Sequence, residues 1–259
     1  MPTLLYPSPV FGPVKSRRLG LSLGINLMPA DGKLCSFDCI YCECGLNGQR
    51  RTKAPRPTRE EVRQTLESKL QQMAAQGTLP DVLTFAGNGE PTAHPDFPDI
   101  INDTLTLRAR YCPAAKVSVL SNATFVHRPD VREALLRVDN NIQKLDTVNA
   151  DYIRRVDRPQ GHYDVGQIVE SLRAFDGHVI VQTLFMKGTD DEGHDVDNTG
   201  DAYVLPWMEA IRYIRPERVM VYTVDRETPM PGLRKASPEA LDAIAARLRA
   251  EGFDVEVAY

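Results

Sequence analysis

Cysteine, histidine and tryptophan are scarce in this 259-residue chain, at five, five and one. An odd cysteine number in a chain this long does not make a disulfide scaffold. Base is not in excess either. Lys plus Arg is 31 and Asp plus Glu is 35, for a net charge of −4, which argues against a protein that coats nucleic acid. No apolar run approaches the roughly 20 residues of a membrane span. The start, Met1-Pro2-Thr3-Leu4-Leu5-Tyr6-Pro7, lacks a basic stretch followed by an apolar one, so no signal peptide is expected. Gly20-Leu21-Ser22-Leu23-Gly24 lacks the spacing of a dinucleotide-binding turn. Repeats, low-complexity tracts and interdomain linkers are absent. With 42% hydrophobic and 25% charged residues, disorder is excluded. The expectation is a soluble cytoplasmic protein with no membrane attachment. It is read as a single domain over 1–259, with an N-terminal extension over 1–20 and a core over about 21–259.

What cysteine there is, is concentrated. Four of the five fall in Cys35-Ser-Phe-Asp-Cys39-Ile-Tyr-Cys42-Glu-Cys44, and Cys112 stands apart. Clustered thiols in a reducing compartment read as metal ligands. Thiolates suit zinc or iron–sulfur clusters. A structural zinc site usually pairs two separated knuckles, and no second knuckle exists here. Three cysteines on a cubane leave one iron with an open position, which is what a catalytic metal needs.

The spacing C-x3-C-x2-C, with Tyr41 before the last cysteine, resembles the signature of the radical S-adenosylmethionine superfamily. The resemblance implies that Cys35, Cys39 and Cys42 hold a [4Fe-4S] cluster whose unique iron chelates S-adenosylmethionine. It implies one-electron cleavage to a 5′-deoxyadenosyl radical, with flavodoxin or ferredoxin as electron donor. Phe11 to Gly20, Ser22 to Asn26, Gly87 to Thr92 and His94-Pro95-Asp96 resemble a narrower group, the wyosine-synthase-related Fe–S oxidoreductases. The wyosine enzyme itself carries a second cluster. Cys44 and Cys112 alone do not supply its four thiolates, so a wyosine-type reaction is not expected.

Strands and helices alternate along the chain. Strands are expected at 22–27, 81–86, 116–120, 142–145, 179–185, 218–222 and 253–257. Helices are expected at 58–77, 98–110, 130–137, 165–175, 202–214 and 237–252. Thr58 and Glu61 form a capping box, and Ser237-Pro238 caps the last helix. Val62, Leu66, Leu70 and Met73 mark one helical face. This alternation argues for an α/β fold with a parallel sheet and helices outside. The resemblance implies a partial (β/α)6 TIM-like barrel with the cysteine loop after the first strand. Chemistry then sits at the C-terminal ends of the strands.

Candidate binding residues fall at those ends. Gly87-Asn88-Gly89-Glu90 follows the second strand; its glycines let the backbone approach a ligand. In the superfamily a glycine–glycine–glutamate motif at this place contacts the methionine ammonium, and Asn88 here replaces the first glycine. Ser121 and Asn122 after the third strand read as cosubstrate contacts or as a plain turn. Lys144 reads as a partner for the methionine carboxylate and Asp146 as a hydrogen-bonding contact for substrate, with Asn149 close by after the fourth strand. An ordinary surface Lys–Asp pair is the alternative. Tyr41 is placed near the adenine. Asp225 and Arg226 read as substrate contacts. His94 reads as a helix-start residue.

Charge is uneven. Lys15, Arg17, Arg18, Arg50, Arg51, Lys53, Arg56 and Arg59 suggest a basic rim suited to phosphate or RNA, or a solvated connector. The acid-rich stretch 189–201 reads as an exposed, flexible lid. The substrate expected is a small molecule or modified nucleobase. Whole tRNA is possible, but the acidic balance disfavours it. Two rival readings stand: an activase that installs a glycyl radical on a partner protein, and a non-catalytic zinc or Fe–S binding protein.

Overall fold

The computed structural model describes residues 4–16, 20–49 and 52–259. In chain order the elements are β1 (Val10–Ser16), β2 (Gly20–Ile25), α1 (Arg59–Ala75), β3 (Val82–Phe85), α2 (Phe97–Tyr111), β4 (Lys116–Ser121), α3 (Pro129–Leu135), β5 (Asn140–Lys144) and α4 (Ala150–Tyr152), which runs into a π turn (Ile153–Asp157). There follow α5 (Val165–Arg173), β6 (Ile180–Leu184), β7 (Met186–Gly188), α6 (Asp201–Ile214), β8 (Arg218–Tyr222), β9 (Leu233–Lys235), α7 (Pro238–Ala250) and β10 (Val255–Ala258).

One sheet runs in the order β1-β2-β3-β4-β5-β6-β8-β10, and only its β1–β2 pair is antiparallel. β3 and β6 are buried along their whole length, as parallel strands covered on both faces must be. Outward side chains of β4, β6 and β8 meet the helices in the main core, where Val117, Val119, Val181 and Val219 pack with Leu66, Ile101 and Trp207. Leu120, Ile142, Ile180 and Met220 form a separate cluster on the other face. The sheet therefore curves around its own small apolar plug.

Local rules explain the helices. The Thr58 side chain accepts from Glu61 N–H, and Thr58 N–H donates to Glu61 Oε2 at 2.6 Å, so both arms of the capping box form. Val62, Leu66, Leu70 and Met73 are the buried face of α1. Ser237 caps α7 with Pro238 in its first turn. Trp207, fully buried on α6, donates its indole N–H to Leu145 O at 3.0 Å and to Thr183 Oγ1 at 3.1 Å. That fixes α6 on the sheet beside the ends of β5 and β6.

Two expectations need correction. The N-terminal extension contains a strand, β1, and the stretch 189–201, exposed over 191–195 as expected, is anchored rather than loose. Val196 and Asn198 are fully buried. Asn198 accepts from Met186 N–H and donates to Leu184 O, both at 2.9 Å. Its acidic residues build turns. Asp190, Asp195 and Asp197 each accept the N–H two residues on, from Glu192, Asp197 and Thr199. No helix among the described residues is long and apolar enough to cross a membrane.

Candidate active site

Four of the five cysteines lie on the connection between β2 and α1, a loop without regular structure that is held by side chains. Asn47 substitutes for a strand. Its Oδ1 accepts from Cys35 N–H at 3.2 Å, and its Nδ2 donates to Cys35 O at 3.0 Å and Phe37 O at 3.1 Å. Asp38 Oδ1 accepts from Asn47 N–H at 2.6 Å. The loop also pairs with the π turn, through Asp38 N–H to Asp157 O and Ile40 N–H to Val156 O, both at 2.9 Å. π turns often mark functional positions. Here the turn supplies the backbone that lays Cys39 against the sheet mouth.

Cys35, Cys39 and Cys42 line one cavity of about 170 Å³. Gly87, Gly89, Glu90, Ser121, Asn122 and Lys144 line it as well, so residues from the ends of β2, β3, β4 and β5 meet there. Among the described residues, no three His, Cys, Asp or Glu side chains gather at single-ion spacing. The thiols surround a volume instead. Burial pushes the Cys35 thiol up to about 12 and also raises Cys39 well above the ordinary thiol value. Cys42 moves the other way, lowered first by a hydrogen bond with the Cys44 thiol and then, against burial, by Lys33. Cys44 also donates to Gly87 O at 3.3 Å, tying the cysteine loop to the glycine loop. Cys112 packs in the main core, away from the site.

Gly87 and Gly89 have φ of 139° and 153°. A Cβ on Gly89 would overlap the Leu34 carbonyl oxygen, and one on Gly87 would overlap Asn26. Both glycines are required for the two loops to touch. Glu90 is buried. Its carboxylate accepts from Asn122 N–H at 2.6 Å and from Thr92 N–H at 3.0 Å. Burial raises its pKa, and these hydrogen bonds oppose the rise. Ser121 and Asn122 both face the cavity and form a turn. Ser121 Oγ accepts from Ala123 N–H, and Asn122 Oδ1 from Thr124 N–H, each at 3.0 Å. Asn122 Nδ2 points toward Cys35 Sγ at 3.6 Å and donates to Ser36 Oγ at 2.8 Å.

Lys144 is no surface residue. Its ammonium donates to Asp157 at 2.6 Å and to Asp146 at 2.9 Å, and sits 5.1 Å from the Phe37 ring centroid. Burial would discharge it, but Asp146, Asp157 and the Cys39 thiol hold its pKa well above the ordinary value. Asp146 also accepts the Tyr41 hydroxyl and Leu184 N–H. An ammonium carries three N–H groups, so two carboxylates leave one for the cavity.

Asn88 lies elsewhere. Its side chain is fully buried and turned toward the N-terminal segment. Oδ1 accepts from Tyr6 N–H at 2.8 Å, and Nδ2 donates to Tyr6 O at 2.9 Å and to Pro29 O at 2.8 Å. The amide acts as a one-residue strand. Residues 4–9 are thereby tied to the glycine loop and reach the cysteine loop, where Leu4 N–H donates to Glu43 O at 3.0 Å. Beside them lies a second cavity of about 250 Å³, lined by Tyr41, Glu43, Tyr222, Asp225 and Arg226. Arg226 reaches Glu43 at 2.7 Å and the Tyr6 hydroxyl at 3.2 Å. Asp225 pairs with Lys235 at 2.9 Å.

The sequence passed over Lys33, Asp157 and the arm around Tyr6. A charged side chain two residues before the first cysteine was the available signal for Lys33. The other two depend on contacts over long chain distances. His94 is a fixed brace, with Nε2 on Pro57 O at 2.9 Å and Nδ1 on Asp96 N–H at 3.1 Å. Of the basic rim, Arg17, Arg18, Arg50 and Arg51 lie outside the described residues. Arg59 is taken up by Asp103 at 2.7 Å and Asp99 at 3.4 Å.

A family model described as the Radical SAM superfamily matches residues 31–199. A UPF0026 protein of Helicobacter pylori (strain J99) is 31% identical over 238 residues, covering 90% of this chain and 71% of the relative. A solved radical SAM methyltransferase from Sphaerobacter thermophilus superposes with TM-score 0.66 at 15% identity, over 92% of this chain and 66% of that one. This chain thus spans just under two thirds of the methyltransferase's length. Archaeal TYW1 superposes with TM-score 0.53 at 12% identity, over 88% of this chain and 71% of that one. At such identities the structural likeness speaks for the fold, a partial TIM-like barrel. The chain belongs to the radical SAM superfamily, whose enzymes combine an iron–sulfur cluster with S-adenosylmethionine to generate radicals.

Proposed function

We propose that this chain is a radical S-adenosylmethionine enzyme acting on a small molecule or modified nucleobase, with its whole length, 1–259, forming one catalytic domain in the cytoplasm. The observation that carries the reading is the meeting of three thiols, a buried carboxylate and a buried ammonium on one cavity.

The donor set suits an iron–sulfur cluster. Three soft ligands come from one loop, and Phe37 N–H and Asn122 Nδ2 approach Cys35 Sγ at 3.5 and 3.6 Å, as N–H groups do toward cluster sulfurs. When bound at Cys35, Cys39 and Cys42, a [4Fe-4S] cluster supplies the electron that splits the sulfonium and yields a 5′-deoxyadenosyl radical.

The chain's own residues bind and orient. Glu90, held by Thr92 and Asn122, is assigned to the methionine ammonium, and the spare N–H of Lys144 to the methionine carboxylate. Opposite charges on opposite walls fix the direction of a zwitterion. Gly87 and Gly89 let the loop backbone come close, and Ser121 and Asn122 supply polar contacts. Tyr41, pinned by Asp146, forms the wall toward the second cavity, where the adenosyl end and the substrate meet. Arg226 and Asp225 there suit a polar, nucleobase-like substrate. Asn88 is assigned a supporting role, holding residues 4–9. The electron donor is assigned as a flavodoxin or ferredoxin. A net charge of −4 weighs against whole tRNA as partner.

The test is anaerobic reconstitution with iron and sulfide, reduction, addition of S-adenosylmethionine and assay for 5′-deoxyadenosine, with Cys39→Ala beside it. Production that disappears in the variant is expected. A colourless, zinc-loaded protein that leaves the cosubstrate intact would overturn the reading.

A further inference from the structure

Lys33 is a buried cation with incomplete pairing. Its side chain is only 2% exposed. The ammonium donates to Gly45 O at 3.0 Å and to Asp38 Oδ1 at 3.3 Å. That carboxylate oxygen is shared with Asn47 N–H, which is closer at 2.6 Å. Lys144 is the contrast, with two carboxylates at 2.6 and 2.9 Å. Lys33 nonetheless lines the cavity with all three cysteines. A buried ammonium needs a counter-charge, because desolvation penalises it heavily. One long, shared ion pair compensates it poorly. The thiols are the remaining groups on that side, and Cys42 is within hydrogen-bond reach of the Lys33 ammonium.

We propose that Lys33 is the electrostatic anchor of the anionic cluster held by Cys35, Cys39 and Cys42, and that it raises the reduction potential of that cluster. This rests on the function proposed above. Three thiolates on a 2+ cubane leave a net charge of −1. Uptake of one electron from the reductant makes it −2, with no bond made or broken. A fixed positive charge in a low-dielectric cavity favours the more negative state. Glu90 opposes the effect beside Cys35, but its charge is spread over the N–H groups of Asn122 and Thr92, and Lys144 is largely neutralised by its two aspartates. Lys33, with the thinnest compensation, therefore sets the sign. Asp38 tempers it.

The experiment is a dye-mediated redox titration of the reconstituted full-length protein, followed by electron paramagnetic resonance. Wild type is compared with Lys33→Gln, Lys33→Arg and Asp38→Asn at matched iron and sulfide content. Lys33→Gln is expected to lower the reduced-to-oxidised ratio at a fixed poise at least tenfold, a shift of about 59 mV for one electron. Lys33→Arg retains most of the wild-type potential. Asp38→Asn shifts it upward. Opposite signs in the two neutralising variants separate charge from a mere distortion of the loop. An unshifted or raised potential in fully loaded Lys33→Gln overturns the inference. If Lys33→Gln folds but takes up no cluster, Asp38→Asn decides: a raised potential supports the anchor, and an unchanged or lowered one refutes it. A wild-type protein that assembles no cluster overturns the functional reading and this inference together, before any variant is compared.

Discussion

Replacing Asn88 by alanine tests whether residues 4–9 are held by one side chain. The amide makes three hydrogen bonds of 2.8 to 2.9 Å, two of them to the backbone of Tyr6 and one to Pro29 O. At a net contribution of about 1 kcal/mol each, their loss totals about 3 kcal/mol. The loss divides unevenly. Pro29 O, left without its donor inside the loop, lowers global stability by about 1–2 kcal/mol. The Tyr6 pair governs a local opening at Tyr6 itself, whose other ties are longer, Asn26 Nδ2 to Tyr6 O and Arg226 to the Tyr6 hydroxyl, both at 3.2 Å, while Leu4, Ser8 and Pro9 on either side keep their own bonds to Glu43 O and the Asn26 backbone at 2.9 to 3.0 Å. About 2 kcal/mol of local destabilisation speeds exchange of the Tyr6 amide roughly thirtyfold, given tenfold per 1.4 kcal/mol. Native-state hydrogen exchange reads this directly. Denaturant unfolding followed by the emission of Trp207, the only tryptophan and fully buried, reads the global part. Tyr6→Phe, which removes one exposed bond, serves as the control and leaves Tyr6 amide exchange within threefold of wild type. If Asn88→Ala also leaves it there, or spreads its effect evenly over β3 to β6, Asn88 is not the clasp.

Other substitutions separate structure from chemistry. Lys144→Met strands Asp146 and Asp157 without their cation and lowers stability by about 3–5 kcal/mol, read as a fall in the denaturant midpoint of the cluster-free protein. Gly89→Ala forces a side chain into the Leu34 carbonyl at a φ of 153°. It should cost at least about 2 kcal/mol and weaken S-adenosylmethionine binding in equilibrium dialysis; native affinity would show that the two loops need not touch. Arg226→Ala breaks a half-exposed ion pair with Glu43 at 2.7 Å and changes stability by less than about 1 kcal/mol. Its effect should fall on substrate turnover, leaving the substrate-free yield of 5′-deoxyadenosine within twofold, as product chromatography measures.

Most of the seven parallel strands were readable because burial leaves short apolar runs between capped helices; β5, Asn140-Asn141-Ile142-Gln143-Lys144, is a polar exception whose start the pattern missed. β1 was hidden by Gly12 and Pro13 and by the exposed Val14 and Lys15, which do not alternate in and out. An edge strand tolerates proline because one side needs no donor, and the pairing slips between Phe11 and Val14. β7 and β9, three residues each, are too short to carry a period. The stretch 189–201 misled for a different reason. Its aspartates are largely solvated, as composition suggests, yet Asp190, Asp195 and Asp197 also form the turns around buried Val196 and Asn198. Composition reports which groups are present, and turn geometry decides where they point.

Within the site the same distinction separates Glu90 from Asn88 and Lys33. Glu90, Gly87 and Gly89 were legible because a loop that brings backbone and carboxylate to a ligand needs those residue types in that order. Asn88 looked like a departure inside that pattern. Its side chain leaves the cavity altogether and binds a segment 82 residues earlier in the chain, which no local spacing encodes. Lys33 is the converse case. Adjacent to the cysteines in sequence, it reads as a loop lysine, and it becomes unusual only when folding removes its water and leaves it one long ion pair. Two neighbours of a familiar motif thus acquire their roles from tertiary contacts. One ties residues 4–9 to the glycine loop, and the other places a positive charge beside the thiols. These are the positions at which this chain sets its own boundary and its own field around chemistry that its superfamily shares.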